Sequence, residues 1–210
     1  MPGILAESPS VFDHRCRFMP LLWMLIPCIS PLAAPADAEP PHVVFHDKTA
    51  ELGLQLANAA ACWADFDGDG WVDLAAGGTV WKNEAGESFT KIAEIGAAVA
   101  ADFDNDGLVD LFSYSDLRLL RNVGEGGFAG VELPELPKTV SRGACWGDFN
   151  GDGFVDLFVG GYEDWNKGIT WPSFTLFNDQ GITFRIDTGS DRYRSSGVKA
   201  CDFDEDGDLD

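Results

Sequence analysis

One pattern recurs four times and constrains this chain more than any other feature. Asp65–Asp73 reads Asp-Phe-Asp-Gly-Asp-Gly-Trp-Val-Asp, and Asp102–Asp110 reads Asp-Phe-Asp-Asn-Asp-Gly-Leu-Val-Asp. Asp148–Asp156 reads Asp-Phe-Asn-Gly-Asp-Gly-Phe-Val-Asp, and Asp202–Asp210 reads Asp-Phe-Asp-Glu-Asp-Gly-Asp-Leu-Asp. Successive copies start 37, 46 and 54 residues apart. Self-similarity at this period marks an array of small units that bury their apolar faces against one another.

A second landmark lies inside each unit. Asn83–Phe89, Asn122–Phe128 and Asn178–Phe184 each run from Asn through small or polar residues to Phe. Short apolar runs precede them, and Asn and Gly between such runs mark a hairpin turn. One unit therefore reads as acidic loop, strand, turn, strand, Asn/Gly turn, strand. No stretch after residue 38 sustains a helical apolar stripe over ten residues. The expected fold is all-β, a partial β-propeller of about three blades plus the start of a fourth. The third unit is longer by Tyr162–Ser173, read as a loop between strands. Phe66, Phe103, Phe149 and Phe203 are expected to pack between blades, and Trp63 and Trp146 to be core. Cys62 and Cys145 are expected as small buried strand residues.

The acidic loop has the chemistry of a hard-cation site. Positions 1, 3 and 5 supply side-chain oxygens, glycine at position 6 permits a sharp turn, position 7 offers a carbonyl and position 9 a further carboxylate. The candidate calcium ligands are thus Asp65, Asp67, Asp69, Trp71 and Asp73 in the first loop, and Asp102, Asp104, Asp106, Leu108 and Asp110 in the second. Asp148, Asn150, Asp152, Phe154 and Asp156 follow in the third, and Asp202, Asp204, Asp206, Asp208 and Asp210 in the fourth. Ca²⁺ takes six to eight oxygens, so one loop nearly completes a site; zinc would require His or Cys, which the loops lack. An EF-hand is excluded because position 12 is Ala76, Ser113 or Val159 rather than Glu. Position 5 is the expected anchor of each site, whereas Asp116, outside any loop, is expected to be a surface charge of little consequence.

The charge agrees. The chain carries 35 Asp+Glu against 14 Lys+Arg, a formal net charge of -21, and fifteen of those acids are loop ligands. Such a surface excludes nucleic-acid binding, which needs clustered Lys and Arg. It also disfavours anionic lipid.

The N-terminus reads as a targeting segment. Arg15 and Arg17 precede an apolar run from Phe18 to Ile29, and Ala36-Asp37-Ala38 offers a small-residue cleavage site. Residues 1–38 are expected to be a signal peptide and 39–210 the repeat region, secreted or periplasmic. Cys28 raises a lipoprotein reading, but Pro27 before it suits that poorly. Cys62, Cys145 and Cys201 remain, an odd number without paired spacing, so no disulfide framework is implied.

These loops resemble the FG-GAP/VCBS calcium-binding repeats of integrin-α-like β-propellers. A closer likeness is to the family related to cartilage acidic protein 1, whose members often carry a C-terminal ASPIC/UnbV domain. Phe45-His46-Asp47-Lys48-Thr49, Trp63-Ala64-Asp65-Phe66-Asp67-Gly68-Asp69-Gly70 and Leu120-Arg121-Asn122 with Gly124 carry that likeness. It implies a seven-bladed ring, extracellular placement, bound calcium and a role in adhesion or ligand binding. Seven blades would need about 320 residues, so the chain is expected to be an N-terminal fragment. On that reading Val43–Phe45 lacks a strand partner, and Leu157 and Phe158 lie on an exposed edge prone to self-association.

The leading functional expectation is a secreted, non-catalytic calcium-binding module acting as scaffold or in adhesion, with an extracellular protein or glycan as partner. The alternative is the substrate-binding part of an extracellular polysaccharide-active enzyme. No Ser/His/Asp, Cys/His or zinc-ligand pattern supports catalysis, and carboxylates committed to calcium are poor general acids. Tyr162, Trp165 and Trp171 are the candidate surface for a ligand or sugar.

Overall fold

The computed structural model describes residues 43–56, 60–189 and 195–209. The signal-peptide reading, Cys28 and Asp210 lie outside these residues. Every regular element described is a strand. The first blade is β1 (Ala61–Ala64), β2 (Asp73–Ala76), β3 (Thr79–Asn83) and β4 (Phe89–Glu94). The second is β5 (Ala98–Ala101), β6 (Asp110–Ser113), β7 (Arg118–Gly124) and β8 (Gly127–Val131). The third is β9 (Ser141–Gly147), β10 (Asp156–Gly161), β13 (Phe174–Asp179) and β14 (Thr183–Asp187). Each is a four-stranded antiparallel sheet with strands in sequence order.

The unit differs from the sequence reading at its start. A strand precedes each of the first three acidic loops, so each of these is the hairpin connection between the first two strands of its blade. In the third blade the segment read as a loop contains a small hairpin, β11 (Glu163–Asp164) with β12 (Ile169–Thr170). Val43–Phe45 is exposed and forms no strand.

Alternation along the second strand of a blade serves two interfaces at once. In β6, Leu111 joins the core shared with the first blade, together with Phe66, Val80, Ile95 and Leu120. Its neighbour Phe112 points the other way, into the core shared with the third blade, with Leu119, Leu157, Val159, Phe174 and Leu176. Successive strand residues face opposite sides, so a strand buried on both faces reads as a continuous apolar run.

The same period explains two departures. Cys62 and Ala64 turn toward the core between the first two blades. Trp63 therefore faces the other way and is 58% exposed rather than core. Its counterpart Trp146 packs on Phe112 of the second blade, ring centroids 6.4 Å apart. Leu157, expected at an exposed edge, is buried against the second blade. Phe158 alternates with it and lies half-buried in a cavity of about 510 Å³ with Phe149, Phe177 and Val198. Phe66 and Phe103 are buried as expected, whereas Phe149 is half-buried and Phe203 is 73% exposed.

Neighbouring blades interlock through the Asn-to-Phe landmark. Phe128 packs edge-on against Phe66 of the preceding loop at 6.0 Å, and Phe184 against Phe103 at 5.6 Å. Between Asn178 and Phe184 the turn presses Gly181 onto the second loop. A Cβ at Gly181 would lie 2.6 Å from Asp104 Cα, and its φ is +72°. Gly181→Ala is expected to cost ~2–4 kcal/mol, adding backbone overlap to left-handed strain. Gly168→Ala, with φ +63° and nothing within 4 Å, is expected to cost only ~1 kcal/mol for the strain alone. Urea denaturation of both variants checks the difference.

Candidate metal centres

The loops fold around their first aspartate. Asp65 Oδ1 accepts the Gly68 N–H (2.8 Å) and Oδ2 accepts that of Gly70 (2.9 Å). Asp102, Asp148 and Asp202 repeat the second bond to Gly107, Gly153 and Gly207 at 2.9, 2.9 and 3.0 Å. Position 5 then caps position 7. Asp69, Asp106 and Asp152 Oδ1 accept the N–H of Trp71, Leu108 and Phe154 at 2.9 Å each, and Asp206 that of Asp208 at 3.2 Å. Glycine at position 6 has φ between +88° and +101° in all four loops. Position 4 is left-handed too, at Gly68, Asn105, Gly151 and Glu205, a requirement the sequence reading missed because three residue types fill it.

Position 9 has a structural task beside the one expected. Asp73, Asp110 and Asp156 are fully buried. Asp110 Oδ2 accepts the Phe103 N–H (3.0 Å) and Oδ1 the Asn122 N–H (2.7 Å). Asp73 does the same for Phe66 and Asn83, and Asp156 for Phe149 and Asn178. This carboxylate therefore ties its own loop to the third strand of its blade. Burial pushes its acid strength down: the Asp110 pKa rises to about 6, and Asp73 and Asp156 shift the same way.

Two of the landmark asparagines, Asn122 and Asn178, are staples between blades, a role read in the sequence only as a turn. Asn122 Nδ2 donates to the Phe66 carbonyl in the first loop (2.7 Å) and to Val109 in its own (3.1 Å). Asn178 Nδ2 repeats this toward Phe103 (2.7 Å) and Val155 (3.0 Å). Asn83 donates to Val72 in its own loop (3.0 Å).

The carboxylates converge on positions 1, 3 and 9. Oxygens of Asp65, Asp67 and Asp73 lie within 4.8 Å of one another, as do those of Asp102, Asp104 and Asp110. In the fourth loop Asp202, Asp204 and Asp206 converge. Among the described residues the third loop forms no acidic triple, because Asn150 stands at position 3. Position 5 in the first two loops shares a base with position 3. Lys82 Nζ bonds Asp67 and lies 2.8 Å from Asp69 Oδ2, and Arg121 Nη2 lies 3.0 Å from Asp106 Oδ2. The Lys82 bond holds the Asp69 carboxyl below its usual range.

The donor set fits a hard cation. It is all oxygen, and Asp104 Oδ2, on a side chain 6% exposed, is paired with Arg121 Nε at 2.6 Å.

Three other expectations meet the structure here. Asp116 is not idle: Oδ2 accepts the Gly96 N–H (2.9 Å) and the Ser113 hydroxyl (3.1 Å), tying two turns of the second blade together. Cys62, Cys145 and Cys201 are unpaired thiols, the first two half-buried, and burial pushes Cys62 up to about 11. Tyr162, Trp165 and Trp171 do share a surface. They line a cleft of about 370 Å³, with Arg142 stacked 4.2 Å over the Tyr162 ring and Trp165 65% exposed.

A family model described as FG-GAP-like repeat matches residues 102–159, from the second loop to the strand after the third. Over this segment the chain is similar to FG-GAP-like repeats. No curated protein matches the chain. Among solved structures, the crystal structure of the V. cholerae biofilm matrix protein Bap1 is similar at 16% identity and a TM-score of 0.41. The match covers 62% of this chain and 20% of that one. No helix among the described residues is long and apolar enough to cross a membrane.

Proposed function

We propose that this chain is an extracellular calcium-binding repeat module that acts as a scaffold or in adhesion and is not itself catalytic. The observation that carries this reading is the repeated convergence of carboxylate oxygens on a glycine-shaped loop. Positions 1, 3 and 5 would hold the ion, and calcium would neutralise their charge. Position 9 would contribute mainly by holding the loop in place. Placement near the cartilage acidic protein 1 group, with its ASPIC/UnbV domain, is part of the same proposal and rests on the likeness at 45–49, 63–70 and 120–124. Secretion rests on residues 1–38. An extracellular protein or glycan is the proposed partner, and the Trp165 cleft is where a sugar ring would stack.

Three or four calcium ions are expected to bind, in the ~10⁻⁴–10⁻³ M range of extracellular modules. At ~100-fold excess over Kd this would stabilise the fold by about 2.7 kcal/mol per site. Isothermal titration with CaCl₂ and thermal melts in millimolar calcium against EGTA measure both. No heat and no shift would remove the calcium assignment. Asp106→Ala should lower calcium stoichiometry or affinity, whereas Asp116→Ala should loosen the blade and leave calcium binding intact.

A further inference from the structure

The first two loops each have a cation of their own, and the third does not. The residue just before the landmark asparagine is Lys82 in the first blade, Arg121 in the second and Phe177 in the third. Lys82 bonds Asp67 and Asp69, at positions 3 and 5. Arg121 reaches the same two positions, with Nε 2.6 Å from Asp104 Oδ2 and Nη2 3.0 Å from Asp106 Oδ2. In the third loop Phe177 instead lies under the Arg185 guanidinium, 4.6 Å from its ring centroid. Among the described residues no Lys or Arg pairs with that loop.

The charges match this arrangement. The first loop has four ligand aspartates and Lys82, and the second has four and Arg121, which leaves each at a net −3. The third has three aspartates, with Asn150 at position 3 and no cation, and is also at −3. Among these three loops, where position 3 is a carboxylate the third strand of the blade carries a base, and where it is an amide that strand carries a ring. A solvated charge with no partner in the loops would show no such correspondence.

Both bases sit where they can leave. The Arg121 side chain is 47% exposed and that of Lys82 is 26% exposed, while Asp67 and Asp104 are 8% and 6% exposed. Long side chains anchored on a strand can swing their charged ends into water. The carboxylates beneath them cannot.

We infer that Lys82 and Arg121 are internal counter-ions: each occupies positions 3 and 5 of its loop and competes with calcium there. They hold the first two loops closed without metal and set the calcium concentration at which those loops load. The inference rests on the calcium reading above and adds its regulation. The third loop, with no base to displace, loads without this competition.

The test is titration of the full chain with CaCl₂, comparing wild type with the Lys82→Met/Arg121→Met double variant. Loss of one charge about 5 Å from each ion is expected to tighten two sites by roughly 10-fold. The same variant in EGTA is expected to melt several degrees lower, because four carboxylates then repel one another uncompensated. The charge-keeping pair Lys82→Arg/Arg121→Lys should stay within about threefold of wild type in affinity and guards against a packing artefact. Unchanged or weaker calcium binding in the methionine variant, with wild type titrating normally, overturns the inference alone and makes the bases supports for the ligands. A metal-free melting point that does not fall overturns it as well. A wild type that takes up no calcium removes the calcium reading, and this inference with it.

Discussion

Asp110→Ala is expected to be the most damaging substitution in the second loop, with or without calcium. The aspartate is fully buried, and its two oxygens take the N–H groups of Phe103 and Asn122 at 3.0 and 2.7 Å. Truncation leaves both donors buried and unpaired, at ~1–3 kcal/mol each, and adds a small cavity. A total loss of ~3–5 kcal/mol is a large part of a domain's ordinary stability. Asp110→Asn should be nearly as harmful despite its equal size, since an amide offers one acceptor and sets its NH₂ against the second N–H. By contrast Asp106→Ala keeps this tie and should show its effect chiefly in calcium titration. Urea denaturation in EGTA separates them. Equal losses for Asp106→Ala and Asp110→Ala in the metal-free state would mean that position 9 is an ordinary ligand after all.

Asn122→Ala is expected to loosen the joint between the first two blades. Its Nδ2 holds the carbonyls of Phe66 and Val109, and its Oδ1 takes the Gly124 N–H at 3.0 Å. The side chain is fully buried, so no water replaces these bonds. The expected cost is ~3 kcal/mol, or roughly 6–12 °C in melting temperature for a chain of this size. Asn178→Ala should behave likewise through Phe103 and Val155. Asn83→Ala is the internal control: it loses the bond to Val72 and the Gly86 turn, with no bond to another blade's loop, and should cost ~1 kcal/mol. Because Asn122 belongs to the second blade and grips the first loop, its loss should also weaken calcium binding in the first loop. Equal costs for Asn83→Ala and Asn122→Ala would contradict the staple.

The sequence by itself determined the repeat, the all-β class and the set of oxygen donors. Those follow from local chemistry: an Asp-rich run with glycine at position 6 can turn in few ways, and short apolar runs separated by Gly and Asn form strands. The FG-GAP-like match at 102–159 lies on the period read from the loops alone. What only the tertiary structure decided is how the same residues divide their work. Position 9 looked like one ligand among five, but the buried N–H groups it satisfies come from residues 7 earlier and 10 to 22 later in the chain. Asn122 looked like a turn residue, but its acceptor lies 56 positions away in the preceding blade. The loop carboxylates that Lys82 and Arg121 pair with lie 13 to 17 positions before them, out of reach of any local pattern. Trp63 and Trp146 stand in near-identical sequence, yet one is exposed and the other packs edge-to-face with Phe112, because only the third blade's face has a described blade beside it. Local sequence specifies which groups a loop offers. Which of them are buried, and what they must then bond, depends on the neighbouring blade, since desolvation is a property of the packed assembly rather than of the segment.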